Sequence, residues 1–131
     1  MRSYAREVAF CKIYTYIMCS DYDGDFSQFD SEKLTEEDVA FADGLVRGVI
    51  EQKSQLDAIV AQFSKSFKLE RIYRPDLAAL ELALYEMNNC DTPHPVAINE
   101  AVGIAKKYST EKSVSYVNGI LAAYERSLKN G

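Results

Sequence analysis

Tryptophan is absent from these 131 residues, histidine occurs once, and cysteine and proline occur three times each. Each shortage closes off a class of protein. A single histidine, His94, with Cys11, Cys19 and Cys90 far apart, cannot assemble the spacing of a zinc site. Three cysteines are also odd in number. If Cys11 and Cys19 share a helix, they stand about 12 Å apart, too far for a disulfide. A reduced cytoplasmic protein without metal or cofactor is the expectation. No apolar run reaches the ~20 residues of a membrane span. Lys12 interrupts the first apolar stretch, which argues against a secretory signal.

Catalytic constellations are missing as well. No glycine-rich loop is placed to cradle a phosphate, and the serines have no histidine partner. Glu81 and Glu86, five residues apart, point to different faces of a helix and make no carboxylate pair. His94 lies between Pro93 and Pro95 and reads as a loop residue. The acidic stretch DYDGDFSQFDSE lacks the glycine and ligand order of a calcium loop. A binding protein is expected, not an enzyme.

Alternating apolar and polar runs are absent, so strands are not expected. What the chain has instead is helical period. Ala5, Val8, Ala9, Ile13, Tyr16 and Ile17 share one side of a helix over Arg2–Cys19, with Arg2, Arg6 and Lys12 as its bases. Asp21–Leu34 is a polar connection containing Gly24. Thr35 and Asp38 have the spacing of a capping box, and Val39, Ala42, Val46 and Val49 follow. Ser54 and Asp57 repeat that signal before Leu56, Ile59, Val60 and Phe63, with a break at Lys53–Gln55. Pro75 and Asp76 suit a helix start ahead of Leu77, Leu80, Leu84 and Met87. Ile98, Val102 and Ala105 form a further stripe, and Val114, Val117, Leu121, Tyr124 and Leu128 form the last. The fold class is all-α, with about six or seven helices. Gly48, Gly103 and Gly119 interrupt these helices at about 1 kcal/mol each relative to alanine, a cost that close helix crossings would justify.

The net charge of −5 disfavours nucleic acid at face value. It is unevenly spread. Asp21–Asp43 holds nine acids and one base, so this stretch carries −8 and leaves the rest at +3. Lys65, Lys68, Arg71 and Arg74 form a basic run with Phe67 and Tyr73 among them. Cations that meet phosphates and rings that stack on bases suit single-stranded RNA.

The segment VAINEAV at Val96–Val102, AKKY at Ala105–Tyr108 and YVNGIL at Tyr116–Leu121 together resemble the NusB family of bacterial transcription antitermination factors. ALYE at Ala83–Glu86 and AREVAFCKIY at Ala5–Tyr14 extend the resemblance over nearly the whole chain. Tyr116 stands where the family usually has Phe, and Glu81 where it usually has Arg. The N-terminal arginine run is thinner here, with Ser3 and Tyr4 among Arg2 and Arg6.

The resemblance implies two packed helical subdomains, about residues 1–74 and 75–131, that divide near the Arg74–Pro75 turn. It also implies binding of boxA-type single-stranded RNA of nascent ribosomal RNA, together with NusE, a small-subunit ribosomal protein, within the transcription elongation complex. Carried over residue by residue, it assigns Arg2, Arg6, Arg74, Lys112, Tyr116 and Asn118 to RNA, and Tyr14 and Asp76 to NusE. It leaves homodimer formation open. A related module heads some ribosomal RNA cytosine methyltransferases, which would need a following cofactor-binding domain. A length of 131 residues favours the stand-alone factor.

Overall fold

The structure, a computed structural model, describes residues 2–130. Six α-helices account for most of it: α1 (Arg2–Cys19), α2 (Glu36–Glu51), α3 (Lys53–Phe63), α4 (Arg74–Asn89), α5 (His94–Tyr108) and α6 (Glu111–Asn130). A single 3-10 turn, Leu69–Arg71, lies between α3 and α4, and there is no strand among the described residues. The all-α expectation holds.

Helix α4 is the axis on which the others pack. Alanines at 78, 79 and 83 let neighbours approach closely, and Leu77, Leu80, Leu82, Leu84 and Met87 fill the spaces between them, all buried. Helices α1, α2, α3, α5 and α6 each touch it. Sequence period marked only one stripe of α4, because a helix surrounded on all sides loses the polar face that makes period visible. Pro75 lies in its first turn, where a missing N–H costs nothing.

Helix α2 begins as its sequence dictates. Thr35 Oγ1 accepts from the Asp38 N–H at 3.1 Å, and Asp38 accepts from the Thr35 N–H at 3.2 Å. The expected second capping box at Ser54 and Asp57 does not form. Helix α3 starts directly after the joint at Gln52, without a side-chain cap, and Asp57 is taken by Lys53. Gly48 justifies its cost: a Cβ there would come within 2.1 Å of the Tyr85 ring. Gly103 and Gly119 do not, for nothing lies within 4 Å of a Cβ built at either position.

The acidic connection between α1 and α2 is held in place. Its Phe26 and Leu34 enter the core. Asp23, Asp25 and Asp30 accept hydrogen bonds from backbone N–H groups two residues on, an Asx-turn pattern that the spacing did not announce. Lys12, buried on α1, donates to Asp23 at 3.1 Å. Three details of the sequence reading need correction. His94 opens α5 and is no loop residue. Leu128 is exposed rather than part of the α6 stripe, whose buried members are Ser113, Val117, Ile120 and Leu121. On α5, Ala97, Ala101 and Ile104 join Ile98 and Ala105, while Val102 is only half-buried. All three cysteines are free thiols. No described helix is long and apolar enough to cross a membrane.

Candidate RNA and protein interface

The turn from α3 to α4 and the first half of α6 come together around an open groove of about 540 Å³. From the turn come Phe67, Arg71 and Tyr73; from α6 come Lys112 and Tyr116; Asp76 of α4 lies at its floor. Phe67 and Tyr73 are 51% and 55% exposed, an unusual display of rings for a small domain. Phe67 meets Tyr116 edge to face, with centroids 5.7 Å apart. The groove therefore joins three rings to two exposed cations.

Tyr116 is fixed from both ends. Its hydroxyl lies 2.6 Å from Ser64 Oγ, and Ser64 Oγ donates to the Phe67 carbonyl at 2.8 Å. Burial pushes the Tyr116 phenol pKa up, and the Ser64 bond opposes that only in part. The hydroxyl is thus a neutral donor, and the chain Tyr116–Ser64–Phe67 ties the basic turn to α6.

Asp76 is buried at the start of α4. Ser109 Oγ donates to its Oδ1 at 2.7 Å, and Ser113 Oγ donates to its Oδ2 at 2.9 Å. Both carboxylate oxygens are engaged inside the chain, so a direct contact between Asp76 and a partner would require opening this cluster. The resemblance assigns Asp76 to NusE; the structure places it among these two serines.

Arg6 also departs from its expected place on the surface. It is 8% exposed and faces α4 and α5 rather than solvent. Its Nε donates to Glu86 Oε1 at 2.9 Å and its Nη2 to Glu86 Oε2 at 2.6 Å, a fork-to-fork pair. Nη1 donates to Glu100 Oε1 at 2.8 Å. Burial alone would lower the Arg6 pKa, but the bonds and charges of Glu86 and Glu100 outweigh it and hold the pKa above its ordinary value. Thr92 Oγ1 donates to Glu86 Oε2 as well, at 2.6 Å. An arginine so engaged is not available to a phosphate.

The remaining candidates lie apart from the groove lining. Arg2 is exposed on α1, its guanidinium 3.8 Å from the centroid of Phe41. Arg74 is half-buried and donates to the Glu70 carbonyl at 2.9 Å. Asn118 is exposed on α6, two residues beyond Tyr116 and so turned to another side of the helix. Tyr14 is half-buried against the core. The fold thus gathers Lys112, Tyr116 and Asp76, and leaves Arg2, Arg6, Arg74, Asn118 and Tyr14 elsewhere. Arg71, Tyr73 and Phe67 were visible as a basic run with rings, but their meeting with α6 was not. Among the described residues, no group of three acids, cysteines or histidines is arranged to hold a metal.

Comparison with known proteins follows the same lines. The model of the NusB family matches residues 3–126. The transcription antitermination protein NusB of Acetivibrio thermocellus is 41% identical over 126 residues, spanning 92% of this chain and 85% of its own. That of Syntrophotalea carbinolica is 43% identical over 106 residues, or 80% of this chain and 65% of its own. The solved structure of T. maritima NusB is similar at TM-score 0.84 and 29% identity, covering 96% of this chain and 91% of that one. The crystal structure of antitermination factors NusB and NusE in complex with dsRNA holds a chain similar at TM-score 0.82, with 96% of both chains covered. Its 24% identity makes that a likeness of fold.

Proposed function

This chain belongs to the NusB family, and from that premise we propose that it is a cytoplasmic transcription antitermination factor that binds boxA-type RNA of nascent ribosomal RNA together with NusE. It acts by binding, not by catalysis, and delivers both partners to the elongation complex. The observation that carries the reading is the groove, where Phe67, Tyr73 and Tyr116 offer ring surface beside Arg71 and Lys112. Bases of a single strand stack on such rings while phosphates meet the cations, at about 1–3 kcal/mol per stacked base.

The groove draws its walls from both sides of the Arg74–Pro75 turn. On this reading it lies at the junction of the two subdomains, about residues 1–74 and 75–131. Arg2, Arg74 and Asn118 are outer contacts for the RNA beyond the groove, and Tyr14 belongs to the face toward NusE. Asp76 serves that face by seating Ser109 and Ser113. The test is a titration of boxA-containing RNA, with and without NusE, against the intact protein and a Tyr116→Ala variant. The reading requires tighter binding in the ternary mixture and a clear loss in the variant. Equal binding of a scrambled RNA would overturn it.

A further inference from the structure

Where α3 lies on α4, three ionisable side chains meet away from the groove. Lys53 Nζ donates to Asp57 Oδ2 at 2.9 Å and to Glu81 Oε2 at 2.6 Å. The two carboxylates thus share one ammonium and lie close together. Glu81 is fully buried, with 0% exposure. The remaining oxygen of each acid, Asp57 Oδ1 and Glu81 Oε1, is also buried and has no hydrogen-bond partner. Two ionised acids with one ammonium would leave a net charge of −1 in the interior and two oxygens lacking donors, and both are costly.

One proton removes both costs. A protonated Glu81 donates through its free oxygen to the free oxygen of Asp57, and the cluster becomes neutral. We propose that Asp57 and Glu81 share a single proton, so that with Lys53 they form a proton-dependent latch holding α3 on α4. This explains how an acid is accommodated where the family resemblance implies arginine: Lys53 supplies the positive charge from the facing helix. Because α3 ends one residue before Ser64, the latch also sets the wall against which Tyr116 rests.

Among the described residues, charged groups of the neighbouring helices that pack on α4 are engaged elsewhere. Glu86 of α4 and Glu100 of α5 both accept from Arg6 of α1. Asp76 is taken by Ser109 and by Ser113 of α6. On the α2 side, Glu51 bears on the Tyr85 hydroxyl. Burial first, and Asp57 next, push the Glu81 pKa up from 4.5 to about 9, with Lys53 opposing. Below pH 4.5 folded and unfolded chains both hold the proton. Between 4.5 and about 9 only the folded chain does, so unfolding releases it and stability falls as pH rises through that window.

Carbon-13 carboxyl NMR of the intact protein tests this directly. Glu81 is expected to remain protonated at pH 7 and to titrate near 9, and Asp57→Asn is expected to move that midpoint down. Denaturation across pH 5–9 gives a second readout. Glu81→Gln keeps a donor toward Asp57 and an acceptor for Lys53. Relative to it, the unaltered chain should lose up to about tenfold in folding constant per pH unit. If Glu81→Gln does not fold, the NMR titration of the unaltered chain decides. A Glu81 carboxyl already ionised at pH 7 would overturn the proposal. So would a Glu81→Gln variant with the same pH profile as the unaltered chain.

Discussion

The hydroxyl of Tyr116 on α6 lies 2.6 Å from Ser64 Oγ at the end of α3, joining residues 52 positions apart in sequence. The bond uses the one atom by which a tyrosine differs from a phenylalanine, so Ser64 and Tyr116 act as a pair through it. Through Ser64, the carbonyl of Phe67 is drawn in as well.

Removing Ser64 Oγ should therefore loosen the groove without unfolding the chain. Ser64→Ala and Tyr116→Phe are each expected to cost about 1 kcal/mol of stability, the net worth of an ordinary hydrogen bond. Both should weaken RNA binding less than Tyr116→Ala, which removes the ring itself. Fluorescence anisotropy with labelled RNA, beside thermal melts, separates the two effects. A Tyr116→Phe variant that binds as poorly as Tyr116→Ala would show that the hydroxyl, not the ring, contacts RNA.

Arg6→Ala should behave as a core lesion. It leaves Glu86, 1% exposed, without its fork partner, and breaking a buried pair this way costs about 3–5 kcal/mol. The partly open Glu100 side makes the lower end the better expectation. Glu86→Gln, which still accepts one bond, should cost less. Urea denaturation of both variants checks the order. An Arg6→Ala protein with an unchanged midpoint would return Arg6 to the surface role that its sequence position suggested.

The contrast between Arg6 and the α2 cap shows which features a sequence displays. Thr35 and Asp38 are three residues apart, and their partnership is written in that spacing. Helices were legible for the same reason: Leu77, Leu80, Leu84 and Met87 repeat within a few turns. Arg6 and Glu86 are 80 residues apart, and nothing local distinguishes a buried arginine from an exposed one. Ser64–Tyr116 and Lys53–Glu81 are likewise products of helix packing. In the groove, Tyr116 and Lys112 were legible through the family resemblance, and Arg71 and Tyr73 through a run of charge and rings. Their convergence depended on where α6 crosses the turn, which no single stretch encodes.

Gly48 and Gly119 should respond oppositely to the same change. Gly48→Ala places a methyl against the Tyr85 ring, which must move, and overpacking of this kind costs about 1–3 kcal/mol. At Gly119 the space is open, so Gly119→Ala should stabilise the helix by about 0.5–1 kcal/mol. Thermal melts of the pair provide the check. A destabilised Gly119→Ala would mean that a neighbour packs against the helix at this position.

On α1, Arg6 and Lys12 are engaged by Glu86 and Asp23, which leaves Arg2 as its exposed base. The groove adds Arg71 and Lys112, and Arg74 is the outer contact beyond it. For a single strand, each neutralised phosphate contributes about 0.7 to the slope of log affinity against log salt. Two to four contacts therefore give a slope of roughly −1 to −3 for the protein alone. The acidic Asp21–Asp43 segment belongs to the same small domain, only a few Debye lengths of about 8 Å across, and opposes the approach of RNA. Binding by the free chain is thus expected to be weak and only mildly salt-dependent. NusE should raise the affinity and steepen the slope by adding phosphate contacts. RNA titrations at two salt concentrations, with and without NusE, measure both quantities. Tight binding by the free chain with a steep slope would place more cations on the RNA than Arg2, Arg71, Arg74 and Lys112, from the exposed Lys65 and Lys68 or from an Arg6 or Lys12 that has left its partner.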